Sequence, residues 1–212
     1  MTELILALDV PDRESAVSIA GECAQYIDAI KIGYPLVLST GLGIAGDLAS
    51  FGLPLIADFK VADIPNTNRL ITDQVFRAGF DAVICQGFPG RDAVEACVAS
   101  AHENDGECYV VAEMSHPGAP EFFHGGVAER IAGIAAGCGA DGIIAPATRP
   151  DRVRALRRII GEKKIYSPGV GAQGGDPSAV AAIVDGIIVG RQIYQADDPG
   201  RVAGSLSAII RR

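Results

Sequence analysis

The sequence contains no tryptophan, only 6% aromatic residues, three histidines and no excess of basic charge. Each shortage removes a class of function. A platform for single-stranded nucleic acid needs aromatic faces along a basic groove, and a formal net charge of −8 with a pI near 4.8 opposes binding to a phosphate backbone. His102, His116 and His124 lack HxH or HxxxH spacing, so they offer no imidazole set for a metal. The five cysteines, Cys23, Cys85, Cys97, Cys108 and Cys138, are dispersed in apolar or alanine-rich contexts with no CxxC pair. They read as reduced core thiols rather than a disulfide framework or zinc site. No stretch approaches the roughly 20 apolar residues of a membrane span. The chain also enters a strand-like run almost at once, leaving no room for a signal peptide. The expectation is a cytoplasmic protein with neither a membrane nor a nucleic-acid partner.

What is present is a regular alternation. At 212 residues, 49% hydrophobic and 21% charged, the chain fits one domain spanning 1–212 with a full core. Short β-rich apolar runs fall at 4–10, 29–33, 55–60, 82–87, 109–115, 142–147, 164–168 and 186–190. Helical patterns lie between and after them, at 12–26, 36–51, 66–78, 92–103, 127–138, 151–160, 177–183 and 199–210. Eight strand-helix pairs of about 26 residues predict an α/β fold of the (β/α)8 TIM-barrel type. The rival, an open doubly wound sheet, wants a glycine-rich first turn, whereas the first turn here is Asp9-Val10-Pro11-Asp12.

In such a barrel the polar residues at C-terminal strand ends line the functional face. The charges follow that rule. Asp9 closes the first run, Lys31 interrupts the apolar second run, and Asp58 and Lys60 share a face of the third because residues two apart in a strand point the same way. Asp63 lies just past this run, before the helix entry Ile64-Pro65-Asn66, where it could simply cap the helix. On the fifth run Glu113 and Ser115 share a face, with Glu113 read as the internal partner of a lysine. His116 and Pro117 read as loop shaping, and the basic run from Arg152 to Arg158 as a solvated helix face.

A second cluster occupies the last quarter. Ser167-Pro168-Gly169-Val170-Gly171-Ala172-Gln173-Gly174-Gly175-Asp176 follows the seventh run, and Gly190-Arg191 follows the eighth. Loops at these two places commonly hold a phosphate in barrels. Glycines let the backbone approach an anion and move, and Arg191 offers a guanidinium fork. Together the two clusters predict a barrel that grips a phosphorylated small molecule and acts on its far end electrostatically. A lysine set between carboxylates keeps its proton, so Lys60 suits proton donation better than nucleophilic attack.

The segment Asp58-Phe59-Lys60-Val61-Ala62-Asp63-Ile64 matches the DxKxxD signature of the orotidine 5′-monophosphate decarboxylase family. Asp9, Lys31-Ile32-Gly33-Tyr34-Pro35, Glu113-Met114-Ser115-His116-Pro117-Gly118, the loop from Pro168 to Asp176, and Val189-Gly190-Arg191 extend the resemblance over nearly the whole chain. In length it is similar to the compact archaeal form. The resemblance implies conversion of orotidine 5′-monophosphate to UMP and carbon dioxide, the last step of de novo pyrimidine nucleotide synthesis, with no cofactor and no metal. It makes Lys60 the proton donor to C6, places Asp58 beside the departing carboxylate, and completes the catalytic array with Lys31 and Asp63. Asp9 and Lys31 would contact ribose, Ser115 the pyrimidine, and Gln173 and Arg191 the phosphate, under a loop near 168–178 that closes over the substrate. The substrate-binding set is completed by Ile64, Pro168, Gly169, Val170, Gly171, Ala172, Gly174, Gly175, Asp176 and Gly190. Asp63 and Thr67 would reach into the neighbouring subunit's site, implying a homodimer. Ala147 stands where a small hydroxyl is expected, and Gln86 where relatives often carry histidine; neither receives a role.

Two alternatives use the same residues. A metal-dependent β-keto acid sugar-phosphate decarboxylase shares DxKxxD but carries a metal-binding glutamate on the second strand, where this chain has Lys31. A non-catalytic nucleotide-binding barrel would bind without turnover. A third possibility, a Schiff-base aldolase, would need Lys60 with a depressed pKa.

Overall fold

The computed structural model describes residues 1–171 and 174–211. Eight parallel strands run β1 (Glu3–Ala7), β2 (Ala29–Gly33), β3 (Leu55–Val61), β4 (Ala82–Gln86), β5 (Glu107–Val111), β6 (Gly142–Ile144), β7 (Lys164–Pro168) and β8 (Gly186–Val189). Each pairs with its sequence neighbour, and β8 returns to β1, closing the barrel. Around it lie α1 (Arg13–Cys23), α2 (Tyr34–Thr40), α3 (Ile44–Ala49), α4 (Pro65–Arg77), α5 (Arg91–Glu103), α6 (Pro120–Phe123), α7 (Val127–Gly137), α8 (Pro150–Ile160), α9 (Pro177–Ala181), α10 (Arg191–Tyr194) and α11 (Pro199–Ile210). The expected (β/α)8 architecture is therefore present. No described helix is long and apolar enough to cross a membrane.

Local chemistry explains the helix starts. Proline opens α4, α8, α9 and α11, where its missing N–H would be unpaired anyway. Asp12, Asp176 and Asp198 cap α1, α9 and α11 by accepting the backbone N–H of Ser15, Ser178 and Arg201.

Four boundaries depart from the sequence reading. The expected helix over 36–51 is split into α2 and α3 at Gly41-Leu42-Gly43, with Gly41 at φ +78°. The first strand stops at Ala7, so Asp9 rides on the loop beyond it. The fifth ends at Val111: the Ala112 N–H makes the last bond to the Ile144 carbonyl, and the Glu113 N–H turns back to that same carbonyl and leaves the ladder. The sixth ends at Ile144, before Pro146. The short helices α6 and α10 had no sequence signal strong enough to predict them.

Two apolar clusters hold the layers together. One lies between barrel and helices. The other fills the barrel, with Ile5, Ile56, Ile84, Val111, Ile144 and Ile188 pointing inward. At the N-terminal end the Tyr109 and Tyr166 rings pack at 4.7 Å, and the Tyr166 hydroxyl donates to Glu3 at 2.7 Å. These large side chains close the barrel interior from below, and a separate hollow at the N-terminal end is lined by Glu3, Asp28, Asp81, Glu107 and Lys164.

The same bottom end carries a fourfold device. Asp28, Asp81, Asp141 and Asp185 each stand one residue before an even-numbered strand. Each carboxylate accepts the N–H of the first or second residue of the preceding odd strand: Leu4 at 2.7 Å, Leu55 at 2.7 Å, Cys108 at 2.8 Å and Ile165 at 2.7 Å. Each aspartate's own N–H returns a bond to the carbonyl of that same residue. The pairs β1–β2, β3–β4, β5–β6 and β7–β8 are thus clasped reciprocally.

All five cysteines are free, and all but Cys138 are buried. Burial pushes the Cys23 thiol up to about 11, which suits a core residue and not a nucleophile.

Candidate active site

The C-terminal mouth holds a cavity of about 350 Å³, within the size range of small-ligand sites. Its charged wall is built by the strand period. Ile56 points into the barrel and so does Asp58 two residues on. Asp58 Oδ2 is 2.5 Å from Lys31 Nζ, and Asp58 Oδ1 is 2.6 Å from Lys60 Nζ. One carboxylate thereby bridges two ammonium groups, which corrects the expectation of a lysine set between carboxylates: among the described residues Lys60 pairs with Asp58 alone.

Strand β3 is irregular where these residues sit. Ala57 pairs with Val83 and Val61 with Cys85, four steps along β3 against two along β4, so two extra residues bulge out. Within the bulge Lys60 adopts φ +46°, a left-handed conformation that L residues other than glycine seldom take. Phe59, on the opposite face, stacks on Tyr34 at 5.1 Å and anchors the distorted segment to the helix layer.

Burial and charge work against each other here. Burial alone would lower the Lys31 pKa, but the negative charges of Asp58 and Asp9 outweigh it and hold Lys31 above its usual value. Burial alone would raise the Asp58 pKa, yet Lys31 and Lys60 hold it below the usual carboxylate range. Both groups stay charged at neutral pH. Asp9 fits beside Lys31 because position 33 is glycine: a Cβ there would lie 2.5 Å from Asp9 Oδ1.

Facing this wall, across the barrel, are Pro168 at the end of β7, Gly169 and Val170 beyond it, and Gly190 and Arg191 after β8. Beyond β7 Gly175 returns alongside Val170 in a parallel bridge: Gly175 N–H bonds Gly169 O at 2.9 Å, and Gly171 N–H bonds Gly175 O at 3.1 Å. Gly169, Gly171 and Gly174 all have positive φ, which this tight fold requires. Gly171 and Arg191 share a shallow depression beside the mouth with Gln192 and Gln195. Asp176 caps α9 rather than facing the cavity. Ala172 and Gln173 lie outside the described residues.

Asp9, Lys31, Asp58, Lys60, Ser115, Pro168, Gly169, Val170, Gly190 and Arg191 therefore converge on one cavity. Asp63, Ile64 and Thr67 do not. Asp63 and Ile64 line a separate hollow with Pro89 and Asp92, and Asp63 is no helix cap, since Ile64 holds that position without a side-chain bond. The Asp63 N–H instead donates to the buried Asn68 Oδ1 at 2.8 Å.

Three readings need correction. Glu113 partners arginines, not a lysine: Arg152 Nε lies 2.7 Å away and Arg149 Nη1 3.4 Å away. Arg152 and Arg157 are not solvated, because Arg152 also forks on Glu129 and Arg157 bonds Asp185. His116 lines the cavity instead of only shaping a loop. The sequence reading also missed Tyr194 and the floor residues Ile84, Val111, Ile144 and Ile188. Strand parity could have found the floor, and Tyr194 stands three residues after Arg191 on one helical turn.

The family model described as orotidine 5′-phosphate decarboxylase / HUMPS matches residues 2–206. The chain belongs to this family. The orotidine 5′-phosphate decarboxylase of Methanosarcina acetivorans is 58% identical over 212 residues, covering 99% of this chain and 95% of the relative. That of Thermococcus kodakarensis is 49% identical over 208 residues, covering 97% and 95%. Among solved structures, orotidine 5′-monophosphate decarboxylase from Methanocaldococcus jannaschii complexed with inhibitor BMP superposes with a TM-score of 0.96 at 41% identity, covering 100% of both chains. The family's signature residues in this chain are the bridged carboxylate and ammonium pair on β3.

Proposed function

We propose that this chain decarboxylates orotidine 5′-monophosphate to UMP and carbon dioxide, the closing step of de novo pyrimidine nucleotide synthesis in the cytoplasm. The observation that carries the reading is the Lys31–Asp58–Lys60 bridge at one side of a closed barrel mouth, opposite Arg191 and the glycines after β7. Membership in the family and the names of its relatives support the same activity.

The chemistry follows from the charges. Loss of carbon dioxide leaves an electron pair on C6 that the ring delocalises poorly. Lys60, fixed by Asp58, presents an ammonium to that carbon as charge develops and then supplies the proton. Because the ammonium is already oriented, little reorganisation accompanies the reaction, and such preorganisation is worth several kcal/mol. Asp58 stays ionised beside the substrate carboxylate, and its exchange for a neutral carbon dioxide relieves that like-charge contact. Lys31 keeps Asp58 ionised, and Asp9 and Lys31 hold the ribose. Ser115 meets the pyrimidine, while Arg191 and Gln173 take the phosphate. Binding energy from the phosphate then closes the loop from Pro168 to Asp176.

The donor set disfavours the metal-dependent alternative. Both oxygens of Asp58 already accept from ammonium groups, and Lys31 places a positive charge where a divalent cation would need a carboxylate. We therefore infer a reaction without metal or organic cofactor.

We also infer a homodimer in which Asp63 and Thr67 reach into the partner's site. Asp63 is exposed, away from its own chain's array, at the entry to α4, which exposes Ile64 and Leu70 at 66% and 59%. Large apolar side chains exposed on that helix are suited to burial against a second copy.

The decisive experiment incubates chelator-treated protein with orotidine 5′-monophosphate and follows loss of the orotate-ring absorbance. Lys60→Ala should bind UMP yet scarcely turn over. Substantial activity in that variant, or a requirement for added magnesium in the wild type, would overturn the assignment.

A further inference from the structure

Glu113 is a carboxylate with no solvent exposure that the proposed reaction does not use. Arg152 Nε donates to its Oε2 at 2.7 Å, while Arg149 Nη1 and His124 Nε2 lie 3.4 Å and 3.5 Å from its Oε1. Directly after Glu113 come Met114, Ser115 and His116, which form one wall of the cavity and belong to no strand or helix. The shape of such a segment has to be imposed by its neighbours. The Arg149 guanidinium donates to the Met114 carbonyl at 2.9 Å and to the His116 carbonyl at 2.9 Å. The Thr148 hydroxyl donates to the Ser115 carbonyl between them at 3.3 Å. Two adjacent residues from the β6–α8 connection thus hold three consecutive carbonyls, and Glu113 orients the guanidinium that holds two of them.

Stability is a weak reason for this arrangement. A buried ion pair seldom outperforms apolar packing, because removing the charges from water offsets most of their attraction. Its geometric effect is stronger: a planar guanidinium fork fixes the spacing and angle of its acceptors in a way that a flexible ammonium cannot.

We propose that Glu113 is a positioning residue for base recognition: by orienting Arg149, it holds Ser115 where its side chain meets the pyrimidine. This rests on the nucleotide reading above. Phosphate and ribose are gripped from other strands, by Arg191 and Asp9, so disturbance of Glu113 should be felt at the base alone.

Ribose 5-phosphate, which lacks the base, provides the contrast. Titration of Glu113→Gln with UMP and with ribose 5-phosphate should show UMP binding weakened about tenfold, the equivalent of one net hydrogen bond, and ribose 5-phosphate binding unchanged. In a Ser115→Ala background the same substitution should add little, because the group being positioned is gone. Glu113→Gln that binds UMP as the wild type does, or that weakens both ligands equally, overturns the proposal. Where that variant fails to fold, Arg149→Lys reads the same split, since one ammonium cannot span two carbonyls, and equal loss of both ligands there overturns it as well. Wild-type protein that holds ribose 5-phosphate but not UMP would overturn the nucleotide reading itself.

Discussion

Asp9 and Gly33 are a matched pair: the Asp9 carboxylate occupies the space that any side chain at position 33 would fill. Gly33→Ala should displace Asp9 from Lys31 and raise KM for orotidine 5′-monophosphate about tenfold, roughly the loss of one hydrogen bond to ribose. Circular dichroism should be unchanged. An unaltered KM would mean that Asp9 has room to yield or does not touch the substrate.

Lys60 combines a catalytic side chain with an unfavourable backbone. At φ +46° a Cβ is strained, whereas glycine adopts the conformation freely. Lys60→Gly and Lys60→Ala remove the same charge, so their difference isolates the backbone. The glycine variant should be more stable by about 1 kcal/mol, or about 2–4 °C in Tm for a chain of this size. Equal melting temperatures would mean that the bulge carries no strain.

The bridge also sets the pH limits of stability. Asp58 has a depressed pKa in the folded state, so its contribution is present above the ordinary carboxylate value of 3.8 and is lost as pH falls through the lower folded value. Lys31 has a raised pKa, so its contribution is complete below the ordinary 10.5 and is lost as pH rises through the higher folded value. Neither titrates in the neutral range. Lys31→Met removes the largest attraction opposing Asp58's burial. It should lower stability at pH 7 by about 3 kcal/mol and move the acid-unfolding midpoint, followed by circular dichroism, to higher pH. An unmoved midpoint would show that Lys60 alone suffices to keep Asp58 ionised.

The clasps lie at the far end from the cavity. Asp81 accepts from Leu55 N–H, and no salt bridge at Asp81 is found among the described residues. Asp81→Ala should therefore lower stability by about 1 kcal/mol and leave kcat and KM unchanged. Altered kinetics would reveal coupling between the two ends of the barrel.

Much of the site was legible because its signals are local. The two-residue strand period puts Asp58 beside Lys60, a lysine alone in an apolar run such as Ile30-Lys31-Ile32 demands an anion, and glycines before Arg191 mark an anion loop. What escaped depends on distant contacts. Nothing near Glu113 announces that its partners lie at Arg149 and Arg152, nor that Arg149 also holds the carbonyls of Met114 and His116. The β3 bulge is likewise set by pairing with β4. The clasps were legible and unread: Asp28-Ala29-Ile30, Asp81-Ala82-Val83, Asp141-Gly142-Ile143 and Asp185-Gly186-Ile187 repeat one short pattern.

Every one of those carboxylate buckles joins an odd strand to the even strand that follows it, and only the backbone carbonyls of Asp81, Asp141 and Asp185 reach the next couple, at the N–H of Glu107, Lys164 and Glu3. A cut between Asn104 and Asp105 would leave each of them whole, whereas a cut between Ala78 and Gly79 would part Leu55 from Asp81. Separately expressed halves divided at the first position should reassemble more readily than halves divided at the second, with recovered decarboxylation as the gauge.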